Sequence, residues 1–275
     1  MDARSHWTFR PLALLAAVAL TLAGCSGDDP GRGDATTPSA SPEPAAPPAA
    51  GSCYRLTQPQ LDEAHVDAAA VPCSQPHTTQ TYAVTTLSGI TSPDDAAAIA
   101  ATAERLCRAG LRGYVAATAG RLALSRVTHA WFVPTQEDLE AGARWLRCDV
   151  AVLRTDTTLV NLPASARGLL RRDSALNRFG RCARTNAAGI ASGQGGRVCA
   201  LPHTWRAISA QRLGAAADPY PGRAVRGNVL GRCEGVARDY TGNSTGDIAV
   251  AWRPPSRAQW VAGDRFGLCW TQTRD

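Results

Sequence analysis

The chain has 275 residues, nine cysteines and a formal net charge of +6, with 44% hydrophobic and 19% charged residues. That is enough apolar material for packed cores and excludes a wholly disordered chain. All 29 basic residues are arginine. Spread along the chain without a groove-reading element, they exclude nucleic acid as an expected partner.

Residues 1–24 read as a processing segment: Arg4, His6 and Arg10 give a basic start, and Leu12 to Leu22 is an apolar run too short to span a bilayer. It ends in Leu22-Ala23-Gly24-Cys25, which resembles a bacterial lipoprotein signal with lipid carried on Cys25. Residues 25–51 then form the lipidated cysteine and a disordered Pro/Ala/Ser tether, stiffened by Pro38, Pro42, Pro44, Pro47 and Pro48. The expected location is extracytoplasmic, on the outer face of the cell membrane, held by the lipid on Cys25. Export implies disulfides. Setting Cys25 aside turns an odd cysteine count into an even one.

The remainder reads as two modules, residues 52–160 and 161–275, the second including a connector. Val71-Pro72-Cys73-Ser74-Gln75-Pro76-His77-Thr78 and Val198-Cys199-Ala200-Leu201-Pro202-His203-Thr204 share Cys-x-x-Pro-His-Thr. Cys73 and Cys199, His77 and His203, and Cys107 and Cys233 are each 126 residues apart. Trp131-Phe132-Val133-Pro134 aligns with Trp252-Arg253-Pro254-Pro255, and Cys148 with Cys269, at an offset of 121; Cys53 aligns with Cys182 at 129. So many fixed anchors with small shifts between them indicate an internal duplication. Each module has four cysteines: Cys53, Cys73, Cys107 and Cys148, then Cys182, Cys199, Cys233 and Cys269. Three pairings are formally open in each. The expected ones are Cys53–Cys73, Cys107–Cys148, Cys182–Cys199 and Cys233–Cys269, the longer pair in each module stapling a helix to a strand.

In module one, Cys53 to Leu56 is a strand candidate, Gln60 to Ala70 a brief helix or loop, and Thr79 to Leu87 a strand rich in β-branched residues. Ser92 is the expected helix cap with Pro93 in the first turn, and Gly110 the expected stop. Residues 113–124 show no clean period. Ser125 to Val133 and Arg144 to Leu153 read as strands, with a short helix or turn capped near Thr135 between them. In module two, Pro163 to Arg181 is a basic connector with helical character from Leu169 to Phe179 and with Arg171 and Arg172 facing solvent. Gly193-Gln194-Gly195-Gly196 reads as a turn, since no Lys-Ser/Thr follows to make a phosphate loop. A helix is expected over Val225 to Tyr240 and a last strand from Phe266 to near Thr273. The fold class is therefore α+β: two tandem small disulfide-stabilised domains, each a mainly antiparallel sheet with one or two helices.

His77 and His203 are the chemical candidates. A histidine in each copy suits a turn hydrogen bond, a partner contact, a general base or a metal ligand. Disulfide-bonded cysteines cannot ligate beside it, the second cysteine of a haem-attachment motif is missing, and no nucleophile repeats with the histidine except Thr78 and Thr204. No metal, no cofactor and no catalytic residue is assigned. Trp131 and Trp252 join the two histidines as speculative binding residues. Glu137, Asp138 and Glu140 have no matching acids beside Trp260, against a paired-carboxylate site in both modules.

The pattern of Cys53, Val71 to His77, Cys107, Trp131 to Thr135 and Gly142 to Cys148, repeated from Cys182 to Cys269, resembles the septum formation domain of actinobacterial envelope proteins and lipoproteins, in two tandem copies. The second copy departs from the first where Leu201 replaces Gln75 and Arg253-Pro254 replaces Phe132-Val133. The resemblance implies a role in septation and supplies no catalytic residues. The expected protein is a non-enzymatic envelope lipoprotein acting in septation or envelope maintenance. Its partner would be an envelope or septal protein or an anionic cell-wall polymer. The competing reading is a cell-wall-acting hydrolase with His77 and His203 in its sites. The positive charge reads as scattered rather than gathered into a patch, which gives it a weak role.

Overall fold

The computed structural model describes residues 43–89, 92–215, 217–222 and 229–273. The signal segment, Cys25 and most of the tether lie outside the described residues. From Pro44 onward the chain forms one unit.

The first half contributes β1 (Cys53–Tyr54), a 3-10 turn at Pro59–Asp62, β2 (Thr79–Thr86), α1 (Ala96–Tyr114), α2 (Ala119–Ala123), β3 (Val127–Phe132), α3 (Gln136–Glu140) and β4 (Trp145–Val152). The second contributes α4 (Ala175–Phe179), β5 (Arg181–Ala183), α5 (Ala187–Ser192), β6 (Gly196–Val198), β7 (Trp205–Arg212), α6 (Val229–Thr241), β8 (Val250–Arg253), α7 (Arg257–Val261) and β9 (Phe266–Gln272). One sheet has the order β1-β2-β4-β3 and the other β6-β5-β7-β9-β8. Every pairing within them is antiparallel. Apart from β6, the second order repeats the first. Even the irregularity recurs: β2 shifts register between Thr81 and Ala83, and β7 between Ala207 and Ser209, again 126 residues on.

Each half lays its long helix on one face of its sheet. On α1, Ile99, Ala103, Cys107 and Leu111 recur every fourth residue and are all buried, which makes one apolar stripe. The first three meet Leu146, Cys148, Trp131 and Leu87. Burying a side chain the size of Ile or Leu stabilises the fold by about 1.5–3 kcal/mol. The structure corrects both expected ends of this helix. Its cap is Asp95, whose carboxylate accepts from the Ala98 N–H at 2.9 Å, while Ser92 instead accepts from the Asp94 N–H in the preceding turn. Gly110 does not stop it. A Cβ there would sit 3.2 Å from the Tyr82 ring, so Gly110 lets the strand approach, and the helix runs on to Tyr114. It ends at Ala116, a non-glycine residue at φ 53°.

The four disulfides are Cys53–Cys73, Cys107–Cys148, Cys182–Cys199 and Cys233–Cys269, the pairs read from the sequence. Cys107–Cys148 joins α1 to β4, and Cys233–Cys269 joins α6 to β9.

The two halves share a core. Leu111 and Val115 of α1 and Val127, Val150 and Val152 of the first sheet pack with Leu162, Ala166, Leu170 and Phe179 of the connector and Val198 of β6. Beyond it, Ala123 and Leu124, at the end of α2, pack on the second sheet beside Ala207, Leu268 and Trp270. Main-chain bonds stitch the same seam: Arg126 N–H to Phe179 O (2.8 Å), Arg181 N–H to Leu124 O (2.8 Å) and Val198 N–H to Arg154 O (2.9 Å). At its centre Arg126 donates to Asp156, which also accepts from the Gly196 N–H at 2.9 Å. A Cβ on Gly196 would lie 2.4 Å from Arg126 Nη1, so only glycine fits. Gly196 thus belongs to a strand at the seam rather than to the turn expected there. Two short helices, α2 and α5, carry no sequence period long enough to reveal them; Thr118 and Asn186 cap them. The α6 helix is described from Val229, and residues 223–228, where its start was expected, lie outside the description.

Candidate functional site

The repeated Cys-x-x-Pro-His-Thr block builds the same corner twice. In the first, the Gln75 N–H closes a turn onto Pro72 O at 2.9 Å; in the second, the Leu201 N–H closes onto Val198 O at 3.0 Å. The following proline carries the chain out, and the histidine ring folds back: His77 Nδ1 lies 2.8 Å from Gln75 O, and His203 Nδ1 lies 2.8 Å from Leu201 O. A carbonyl only accepts, so Nδ1 carries the proton in both rings. The threonine then ties the corner to the chain at the end of β1 in one half and of β5 in the other. Thr78 N–H donates to Tyr54 O (2.9 Å), and its hydroxyl links Leu56 N–H and Leu56 O; Thr204 makes the corresponding bonds to Ala183 and Thr185. The disulfide closes the corner onto β1 in one half and β5 in the other. Cysteine, proline, histidine and threonine recur together because each holds one side of this turn.

His77 is 1% exposed, and its Nε2 is buried without a hydrogen-bond partner among the described residues. A partner in solution has no access to it. His203 is half-buried and stands with Cys182 and Cys199, their ligand atoms within 4.8 Å of one another. The two sulfurs are bonded to each other, so neither is a thiolate able to take a metal.

Trp131 and Trp252 are interior as well, 4% and 7% exposed. Each packs beside the helix-to-strand disulfide of its half: Trp131 with Cys107 and Cys148, Trp252 with Cys233 and Cys269. Gly267 makes room for the latter, since a Cβ there would lie 2.1 Å from the Trp252 ring. Of the four residues proposed from the sequence as binding groups, the structure brings none together into a surface, and three are covered. Burial inside a repeated motif is what sequence spacing cannot separate from function.

Four polar constellations were not foreseen. On the face of the first sheet away from α1, Asp149 is fully buried. It takes Arg147 Nε and Nη2 at 3.1 and 3.0 Å, the Thr79 hydroxyl at 3.1 Å and the Thr81 hydroxyl at 2.7 Å. The Arg147 guanidinium is sandwiched between the Tyr54 and Phe132 rings at 4.0 and 4.2 Å. Burial pushes the Asp149 carboxyl above its ordinary pKa range, against the opposing pull of Arg147 and the two threonines. In the second half the matching positions are Trp205, Ala207, Leu268 and Trp270, all buried and none charged. One half therefore holds a charged network where its counterpart holds apolar side chains.

On the other face, Glu104 of α1 meets His129 of β3 at 3.1 Å and Arg108 at 2.7 Å. Burial alone would raise the Glu104 pKa, but His129 and Arg108 together bring it down to about 2. The arrangement staples the helix to the edge strand. At the seam between the halves, Arg181 and Arg253 line a small cleft with Gln259 and Asp264. Burial, then the like charges of Arg126 and Arg253, lower the Arg181 pKa to about 9.

The fourth constellation is basic and lies in the connector. The connector opens a cleft of ≈ 540 Å³ lined by Arg167, Arg171, Arg172 and Arg178 over Leu169, Ala175 and Phe179. The charge that reads as scattered along the sequence is gathered here, because the connector folds back on the C-terminal end of α1. Gly168 N–H donates to Tyr114 O and Leu170 N–H to Val115 O, at 2.8 and 2.9 Å.

The geometry defines a disulfide-braced α+β protein in which the Cys-x-x-Pro-His-Thr block builds the same corner in each half. Among the described residues, no helix is long and apolar enough to cross a membrane. The chain matches the family model described as Septum formation over residues 50–269 and belongs to that family. The match is one span across both halves. Neither the curated proteins nor the solved structures include a match to this chain.

Proposed function

We propose that this protein is a non-enzymatic component of the cell envelope acting in septation. Its lipid would be carried on Cys25, the Pro/Ala/Ser tether would hold the folded unit off the membrane, and the folded unit would bind an envelope protein or an anionic wall polymer. We also read the two halves as tandem copies of one ancestral module. Membership of the septum formation family carries the functional reading. The build of the repeated block supports its non-enzymatic part: His77, Trp131 and Trp252 are spent on corners and cores. The common strand order, the common register shift and the matched threonine bonds support the duplication.

The test follows the protein in its own cell. A fluorescent fusion at the C-terminus is expected to collect at division sites, and Cys25→Ser to release it from the membrane fraction. Loss of the protein is expected to delay or misplace septa. Uniform envelope distribution with normal septa would refute the septal role. Release of soluble product from wall material by the purified unit, lost in His203→Ala, would refute the non-enzymatic one.

A further inference from the structure

The arginine-lined cleft in the connector is not required by the repeated fold. In the sequence, residues 33–52 before Cys53 contain no arginine to match it. Between residues 165 and 179 the sequence has four arginines and one aspartate, a local net charge of +3 against +6 for the whole chain. The aspartate, Asp173, is taken by Arg121. Arg167, Arg171, Arg172 and Arg178 are exposed, and none of their guanidinium groups makes a hydrogen bond or ion pair with a described residue. A positive cleft without internal counter-ions concentrates anions from solution.

The cleft is also firmly built. Leu170 and Ala166 are fully buried beneath it, and Phe179 nearly so. Arg121 Nη1 donates to Leu170 O and Arg171 O at 3.0 and 2.8 Å, and the Ala166 N–H donates to the Gln80 side chain at 2.8 Å. Gly168, at φ 72°, turns the loop so that Arg171 folds over it. Arg167 and Arg178 lie over the Tyr114 and Phe179 rings, each at 4.9 Å. Less side-chain freedom is left to lose on binding than free surface arginines would lose.

We propose that this cleft binds an anionic phosphodiester polymer, with Arg167, Arg171, Arg172 and Arg178 each engaging backbone phosphates. The guanidinium fork matches phosphate oxygens in a bidentate fashion. A nucleic acid is disfavoured because no ring is free to stack a base: Arg167 and Arg178 already cover the two aromatic faces. A lipid surface is disfavoured because the cleft has no exposed apolar side chain to insert. The exposed large hydrophobic residues, Leu230, Tyr240 and Val261, lie on α6 and α7. The inference deepens the wall-polymer branch of the proposed function and rests on it.

The experiment uses the folded unit with its disulfides intact and a soluble poly(glycerol phosphate) chain as probe. Binding is followed by calorimetry over a salt series. About four phosphate contacts give a slope near −3 in log affinity against log salt. Arg171→Ala with Arg172→Ala is expected to lower affinity at least tenfold and roughly halve the slope, and Ala at all four positions to abolish binding. Arg105→Ala with Arg232→Ala, an equal loss of charge on α1 and α6, should change affinity less than twofold. Melting curves check that each variant stays folded. Parallel arms use phosphatidylglycerol vesicles and polygalacturonate. Equal binding of either through the same arginines would overturn the choice of polymer. Unchanged binding by the fourfold variant, or equal loss in the control pair, would overturn the site. No binding of the probe by the parent protein would also overturn the inference; continued septal localisation of the fusion would then leave the broader reading standing, whereas loss of both would remove the two together.

Discussion

The buried Arg147–Asp149 pair gives the sharpest test of how the first half is held. Asp149→Ala leaves the Arg147 guanidinium, about 4% exposed, with no carboxylate beside it. It also takes the acceptor from the hydroxyls of Thr79 and Thr81, themselves 0% and 1% exposed. Removing one member of a buried pair costs about 3–5 kcal/mol. For a unit of this size that corresponds to a fall in melting temperature of about 10 °C. Replacing the whole network is a different perturbation. Arg147→Met, Asp149→Leu, Thr79→Val and Thr81→Val together leave no polar side chain stranded, as the matching positions in the second half already do. The fourfold variant is expected to recover most of the loss and finish within about 1–2 kcal/mol of the parent. Urea unfolding with the disulfides kept oxidised, followed by tryptophan fluorescence and far-UV circular dichroism, measures both. A cost below about 1 kcal/mol for Asp149→Ala would refute the assigned role of the carboxylate. A fourfold variant no more stable than the single one would refute the claim that stranded partners carry the cost.

The other predictions concern local features. Glu104 has its pKa held down to about 2 in the folded protein, against 4.5 when unperturbed. A lowered carboxylate pKa stabilises the fold above the unfolded value and loses that contribution as pH falls through the folded one. Stability should therefore decline between about pH 4.5 and 2 by about 1–2 kcal/mol after solvent screening, and Glu104→Gln should flatten that part of an acid unfolding profile. Ala116 at φ 53° ends α1 in the left-handed region. Ala116→Gly is expected to raise stability by about 0.5–1 kcal/mol in thermal melts, the relief of backbone strain exceeding the added freedom of the unfolded chain. Cys107–Cys148 and Cys233–Cys269 close loops of 41 and 36 residues, against 20 and 17 for the corner disulfides. On loop entropy, paired serine replacement of either helix staple should cost about 4 kcal/mol and of either corner bond about 3, read as shifts in urea midpoint.

Much of the architecture was legible because it is written in local terms. Strand segments announce themselves by β-branched runs and α1 by its alanine-rich face, whereas the disulfides join the expected partners although spacing leaves three pairings open in each half. Thr135 caps α3 as its position suggested, accepting from the Asp138 N–H. The misses share a cause: they depend on what lies across the fold. Gly110 looks like a helix stop until Tyr82 is seen against it. Asp95 prevails over Ser92 because its carboxylate reaches the Ala98 N–H. His77, Trp131 and Trp252 admit both a structural and a binding reading in the sequence, because a recurring motif does not say whether a side chain points into a core. Arg167, Arg171, Arg172 and Arg178 look like ordinary solvated charge, because nothing in the connector's sequence shows that it returns to the end of α1 and gathers them around one cleft.

The core shared between the halves makes each half part of the other's packing. Val198 of the second half and Val150 of the first press on the same connector residues, Leu170 and Phe179 among them. Either half taken alone would expose that surface, so neither is expected to keep its packing once cut from the other. A substitution on one side of the seam is therefore felt on the other, whereas the charged network of the first half and the tryptophan-rich positions that match it in the second lie in separate cores.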